Sequence, residues 1–316
     1  MDALSEVLKV VRLTGGVFLD ASFTAPWCIT ARIGPEDCRH VLTEPASVVA
    51  FHYVLDGRML VQVNGAAPVE AAMGCVVLLP RNDVHILSSE AGLPAVDADA
   101  LVQMQREGAL ARIDYGGGGA LTRIVCGFVG SEMRRHPLLD ALPQLLVLDL
   151  TGRPEAEWVA TSFRFAAREV ATARAGSETV LARLSELLFV EAVRSYVAAL
   201  PTAQHGWLAG LADPAIGRAL ALMHARVAHP WTSEALAAEA LLSRSAFAER
   251  FTTLVGVPPM SYLTTWRMQV AGQRLRESRR SIAQVAEAVG YESEAAFARA
   301  FKREMGVSPG EYRRRD

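Results

Sequence analysis

The sequence predicts an α+β chain, with a β-rich N-terminal part, a helical segment and an all-helical C-terminal part. Three observations predict it. Short β-branched and aromatic runs, punctuated by Asp-Gly, Asn-Gly and a tetraglycine, fill the region up to about residue 130. Apolar spacing turns helical from about Glu155. The C-terminal stretch carries an internal duplication. A length of 316 residues suits about two domains at roughly 100–200 residues each. With 51% apolar and 21% charged residues, a mainly disordered chain is excluded. We divide the chain into residues 1–150, a helical linker or dimerisation region at 151–205, and residues 206–316.

Taken in order, the N-terminal MDALSEVLKVV places Asp2 and Glu6 where a secretory signal needs bases, so none is expected. VVAFHYVLDGRMLVQVNG reads as antiparallel strands joined by tight turns. GCVVLLP is a buried strand closed by Pro80. Gly116–Gly119 turns the chain into a further strand, LTRIVCGFV. Strands with turn signals every 8–12 residues form a sandwich or barrel. EAEWVATSFRFAAREVATARA and SETVLARLSELLFVEAVRSYVAAL then read as two helices. The second opens at Ser177, carries an apolar stripe through Val180, Leu184, Leu187 and Leu188, and stops at Pro201. We expect part of this stripe to form a homodimer interface. Everything from Ile216 is helical, with breaks at 229–231, 256–259 and 306–310.

In the duplication, Phe247, Phe251, Gly256, Val257, Pro259 and Tyr262 recur fifty positions later as Phe297, Phe301, Gly306, Val307, Pro309 and Tyr312. Upstream the offset is forty-nine: Leu236-Ala237 matches Val285-Ala286, and Leu241 matches Gly290. Each copy reads as helix, short turn, helix. In the second, Gly290 suits a positive-φ helix end and Ser293 an N-cap. Ala286, Val289, Phe297 and Phe301 converge on a small core. The other face then carries Glu294, Ala295, Ala296, Arg299, Lys302 and Arg303. Small residues followed by bases suit a helix entering a major groove. Charge agrees: residues 1–205 are net −6 and residues 206–316 net +4. The bland alternative is a pair of ordinary helical hairpins.

The strings VAEAVGYESEAAFARAFKREMGVSPGEYRR and ALLSRSAFAERFTTLVGVPPMSYLTTWRMQVAGQRL resemble the DNA-binding region of AraC-type transcriptional regulators over residues 215–316. The resemblance implies two helix-turn-helix units joined by a helix from about Met260 to Ser278, binding promoter DNA in the cytoplasm, with RNA polymerase as a further partner. It implies base-facing Ser245, Ala248 and Glu249 on the first recognition helix, with Arg244 and Arg250 near the backbone. On the second it implies Glu294, Ala295, Ala296 and Arg299, followed by Lys302 and Arg303. Two departures stand out. Leu241 occupies the usual glycine position, where left-handed geometry would cost about 1–2 kcal/mol, so a differently shaped turn is expected. Glu249 is an acid where a base or amide is common; it would accept from a cytosine amino group and repel phosphate.

GCVVLLPRNDVHIL has the form G-x5-P-x4-H and is similar to the second cupin motif, with Gly74 and Pro80 at turns and His85 pointing inward. FHYVLDG places His52 where the first cupin motif carries a ligand, but Tyr53 and Val54 follow it and no Glu precedes Gly65. The resemblance, over residues 15–130, implies a cupin-like β-barrel that senses a small-molecule effector. His52, His85 and Cys126 on three strands form a candidate set for zinc or another divalent metal. Equally, both histidines are hydrogen-bonded core residues and Cys126 a buried small hydrophobe. His40 and His136 are lesser candidates. A cupin-type metalloenzyme or metal-binding barrel with an appended helical domain is the alternative function. No Ser-His-Asp or Cys-His pair stands at recognisable spacing and no Gly-Lys-Ser/Thr follows the tetraglycine, so no enzyme is expected. The four sparse cysteines argue against a disulfide framework.

Overall fold

The computed structural model describes residues 4–5, 13–38, 45, 47–103, 111–131, 137–152, 156–172, 176–200 and 206–314. His40 and His136 lie outside them. The chain divides into two compact units, Arg12–Tyr196 and Val197–Asp316 with Met1–Val11.

The first unit holds eleven strands among the described residues: β1 (Leu13–Thr24), β2 (Cys28–Ala31), β3 (Ser47–Asp56), β4 (Arg58–Val63), β5 (Val69–Ala72), β6 (Cys75–Leu79), β7 (His85–Ser88), β8 (Val96–Asp97), β9 (Ala111–Gly116), β10 (Leu121–Ser131) and β11 (Leu146–Asp149). They form two sheets, β11-β6-β3-β10-β1-β9 and β5-β4-β7-β2-β8. Leu19, Phe23, Ala50, Val54, Val77, Ile124 and Phe128 of the first sheet share one core with Ile29, Met59, Val61 and Leu87 of the second. Alternation decides which side chains point inward. On β3 these are Ala50, His52 and Val54. Phe51 and Tyr53, from the opposite face, meet Phe163 instead, Tyr53 stacking on it at 4.1 Å. Both faces of β3 are therefore covered, which is why it reads as a continuous apolar run. Gly127 is required on β10, because a Cβ there would stand 2.2 Å from the Phe51 ring.

Phe163 belongs to α1 (Ala156–Thr172), followed by α2 (Ser177–Ala198). The buried face of α2 is Leu181, Ser185, Leu188, Phe189, Ala192, Val193 and Ser195. The stripe expected from hydropathy is thus divided: Val180 and Leu187 are exposed, and Leu188 faces inward. The reason is a close approach. A Cβ on Gly15 of β1 would lie 2.5 Å from Ser185 Cβ, so only a small side chain fits the centre of the buried face. Ser185 returns its hydroxyl to the Leu181 carbonyl at 2.9 Å, so burial leaves no donor unpaired.

The second unit is helical: α3 (Trp207–Ala212), α4 (Pro214–Ala225), α5 (Ser233–Glu239), α6 (Arg244–Val255), α7 (Pro259–Glu277), α8 (Ile282–Ala288), α9 (Glu294–Met305) and α10 (Pro309–Arg313). The duplication is reproduced cap by cap. Thr232 and Ser281 cap α5 and α8, the latter in a reciprocal capping box with Gln284. Ser243 and Ser293 cap α6 and α9, which end on left-handed Gly256 and Gly306. The two turns close on matching bonds, Leu242 N–H to the Ala237 carbonyl and Tyr291 N–H to the Ala286 carbonyl, at 3.0 and 2.9 Å. Leu241 has φ 57° and Gly290 φ 84°, so the first turn is not reshaped as expected: leucine adopts the glycine conformation. Leu241 is 79% exposed, so it is accommodated at the surface and the cost stays in its own backbone. Gly290 has no such freedom, since a Cβ there would stand 2.7 Å from the Ala228 carbonyl oxygen.

Candidate nucleic-acid interface and buried polar row

On α6 and α9 the buried phenylalanine pairs fix which residues face outward. Phe247 and Phe251 are fully buried, as are Phe297 and Phe301. At 3.6 residues per turn, the residue midway between each pair points directly away from the core. That residue is Glu249 on α6 and Arg299 on α9, both exposed. Ser245, one turn before Glu249, is exposed, and Ala248 is half-buried beside it. Glu294 and Ala295 are exposed at the start of α9, and Ala296 is half-buried. Lys302 and Arg303 are exposed in its last turn.

The cations of the two helices differ in what holds them. Arg250 is turned onto the chain itself: its Nε and Nη2 both reach Asp213 Oδ2, while Asp213 Oδ1 caps α4 through the Ala215 and Ile216 N–H groups. In this structure both bonds end on one carboxylate oxygen and hold the side chain to Asp213, whereas the resemblance placed it near the DNA backbone. Sequence reading did not mark Asp213, although Asp213-Pro214 is a legible cap followed by proline at the first helical position. Arg244 pairs with Glu234 at 2.8 Å, but both are well exposed, and such a pair yields readily to a phosphate. Arg303 leans on Glu304 at 3.4 Å. Arg299 and Lys302 have no carboxylate partner among the described residues. Between the two helix-turn-helix motifs runs α7, nineteen residues long, or about 28 Å at 1.5 Å per residue. One turn of B-DNA is roughly 34 Å.

Inside the β unit the structure brings His52, His85 and Cys126 together. Cys126 stands directly across from His52 in the β10–β3 register, and His85 comes from the opposite sheet. His52 Nδ1 lies 2.9 Å from Cys126 Sγ, and its Nε2 lies 2.8 Å from His85 Nε2. His85 Nδ1 lies 2.9 Å from the Asp83 carbonyl oxygen. That carbonyl only accepts, which makes His85 Nδ1 a donor, and with both rings neutral the rest of the row follows. His85 Nδ1–H donates to it, His52 Nε2–H donates to His85 Nε2, and the Cys126 thiol donates to His52 Nδ1. Every member is neutral. Burial pushes the His52 pKa well below the usual imidazole value, with His85 adding to it, and burial lowers His85 as well. Burial drives the Cys126 thiol upward, with Asp20 adding to it.

In this arrangement the three donors do not surround one point, as the expected zinc or other divalent-metal site would need. Ligands must sit about 2.0–2.3 Å from one point. Here sulfur and His85 face opposite edges of the His52 ring, so the three donors form a line. Among the described residues no group of three or more His, Cys, Asp or Glu side chains is placed to hold a metal ion. No described helix is long and apolar enough to cross a membrane. All four cysteines are buried and none is in a disulfide.

A family model described as cupin matches residues 2–198, and one described as helix-turn-helix domain matches residues 236–315. The chain is 35% identical over 317 residues to an AraC-like transcription regulator of Streptomyces antibioticus, covering 99% of each. It is 31% identical over 320 residues to the HTH-type transcriptional regulator AlkR of Acinetobacter baylyi, again covering 99% of each. It is 29% identical over 316 residues to the RCS-specific transcriptional activator RclR of Escherichia coli, covering 100% of this chain and 98% of that one.

Proposed function

The chain belongs to the AraC-type transcription regulators that carry an N-terminal cupin domain, and from that membership we propose that residues 206–316 read a promoter while the cupin-like unit senses a small-molecule effector at its buried row. The observation that carries the first half is the pair of capped helix-turn-helix units whose recognition helices each expose the residue opposite the core. Ser245, Ala248 and Glu249 face bases on one helix, and Glu294, Ala295, Ala296 and Arg299 on the other. Arg244, Lys302 and Arg303 meet phosphates. Its place of action is the cytoplasm, and RNA polymerase is the partner through which promoter occupancy becomes transcription. Residues 151–205 support a homodimer.

The second half rests on the row of His52, His85 and Cys126. A buried, fully satisfied polar row is sensitive to any polar molecule that enters, because one lost partner leaves the others unpaired in a medium of low dielectric. The row is a poor catalyst. Nucleophilic cysteine needs a lowered pKa, and that of Cys126 is raised. We therefore assign sensing and no turnover to this unit. The test is genomic DNA captured by the full chain and sequenced, with the same sites assayed for transcription in cells. His85→Gln is expected to change the response while leaving capture intact. Absence of any enriched promoter would overturn the reading.

A further inference from the structure

Positions 249 and 299 are equivalent in the duplication, fifty residues apart, and they carry opposite charges. Each lies midway between two fully buried phenylalanines and so projects furthest from its own core. Neither has an ion-pair partner among the described residues. The cations near Glu249 on its helix lean toward other carboxylates: Arg250 is held by Asp213, and Arg244 rests on Glu234 in an exposed pair. Its neighbour on the same face, Ser245, is a hydroxyl. The first recognition helix thus offers a carboxylate and a hydroxyl to the groove, whereas the second offers a guanidinium.

Base edges answer to these groups differently. A carboxylate accepts from the exocyclic amino group of cytosine, and a guanidinium donates to O6 and N7 of guanine. A carboxylate set against phosphate alone would be repelled, so its place at the most projecting position needs a donor on the DNA. We propose that the two helix-turn-helix units read chemically opposite bases on the strand each contacts, with Glu249 selecting cytosine in one half of the operator and Arg299 selecting guanine in the other. This deepens the promoter-reading assignment and rests on it. Because Glu249 adds negative charge to the first unit, the attraction for phosphate comes chiefly from the second, through Lys302 and Arg303.

The test is selection of duplexes from a random pool by the full-length protein and by two exposed-site variants, Glu249→Gln and Arg299→Gln. The wild type is expected to enrich a site with cytosine and guanine at a constant spacing. Glu249→Gln is expected to replace that cytosine by adenine, which glutamine reads, and to leave the other half unchanged. Arg299→Gln does the converse, replacing guanine. On the wild-type site each variant binds roughly 5- to 150-fold more weakly. Thermal melting confirms that each variant is folded. If Glu249→Gln enriches the wild-type site, or tightens binding equally on all sequences, Glu249 merely repels phosphate and the inference falls while promoter reading stands. If the wild type enriches no site, both fall.

Discussion

His52 has both ring nitrogens in hydrogen bonds inside an apolar core, and this makes the β unit sensitive to acid. The folded-state pKa of His52 and of His85 lies below the ordinary value near 6.5. Their contribution to stability is complete above that value. It is lost as the pH falls from about 6.5 toward the folded-state pKa values, because the unfolded chain then binds more protons. Melting of the full chain between pH 7.5 and 5.5 should fall steeply in the wild type and less in His52→Gln. An equal slope in both would place the acid sensitivity elsewhere. On the DNA side, Lys302→Ala should weaken all sequences alike and flatten the salt slope by about one unit. Arg299→Ala should cost roughly 1–3 kcal/mol on the specific site alone. Competition binding over a series of salt concentrations separates the two. The residues of the row were legible from their motifs. Their line-shaped geometry was not, since it depends on which edge of one imidazole each neighbour meets.

At the scale of elements, equivalent turns tolerate different residues for a steric reason. Leu241 pays for left-handed geometry while 79% exposed, so Leu241→Gly should raise stability by about 1 kcal/mol. Gly290 is pressed against the Ala228 carbonyl, so Gly290→Leu should destabilise by several times as much, on the order of 3 kcal/mol or more. Chemical denaturation of both variants checks the pair; equal and opposite changes would show that the turns are interchangeable. Sequence reading located both turns and misjudged only the first, because it took the backbone cost as enough to reshape the turn. The buried face of α2 was only partly legible for a related reason. Its centre is Ser185 against Gly15, and a small polar residue chosen for close approach leaves no hydropathic trace.

For the whole molecule, that reassigned face changes which substitutions report on assembly. Trp158 and Phe165 on α1 are 45% and 41% exposed, and Val180 and Leu187 on α2 are 45% and 56% exposed. Each pair is seven residues apart and so lies on one side of its helix. With the proposed homodimer seated on this side, Leu187→Glu should sediment as a folded monomer and bind DNA weakly. Leu188→Glu should instead unfold the β unit, because Leu188 is buried within it. A wild-type chain that sediments as a monomer at micromolar concentration would dispose of the dimer.

The local content of the sequence determined the duplication, its caps and breakers, the alternation that turns His52 and Cys126 inward, and the apolar pairs that orient both recognition helices. These follow from periods of 2 and 3.6 residues and from turn chemistry, all of which act within a few positions of the chain. Only the tertiary structure decided how far-apart residues spend their bonding capacity. It gave Arg250 to Asp213, set Ser185 against Gly15, allowed Leu241 its left-handed turn, and lined up Cys126, His52 and His85 on the Asp83 carbonyl. Each of these outcomes depends on distances between segments that share no local pattern, and distance is what a one-dimensional string does not carry.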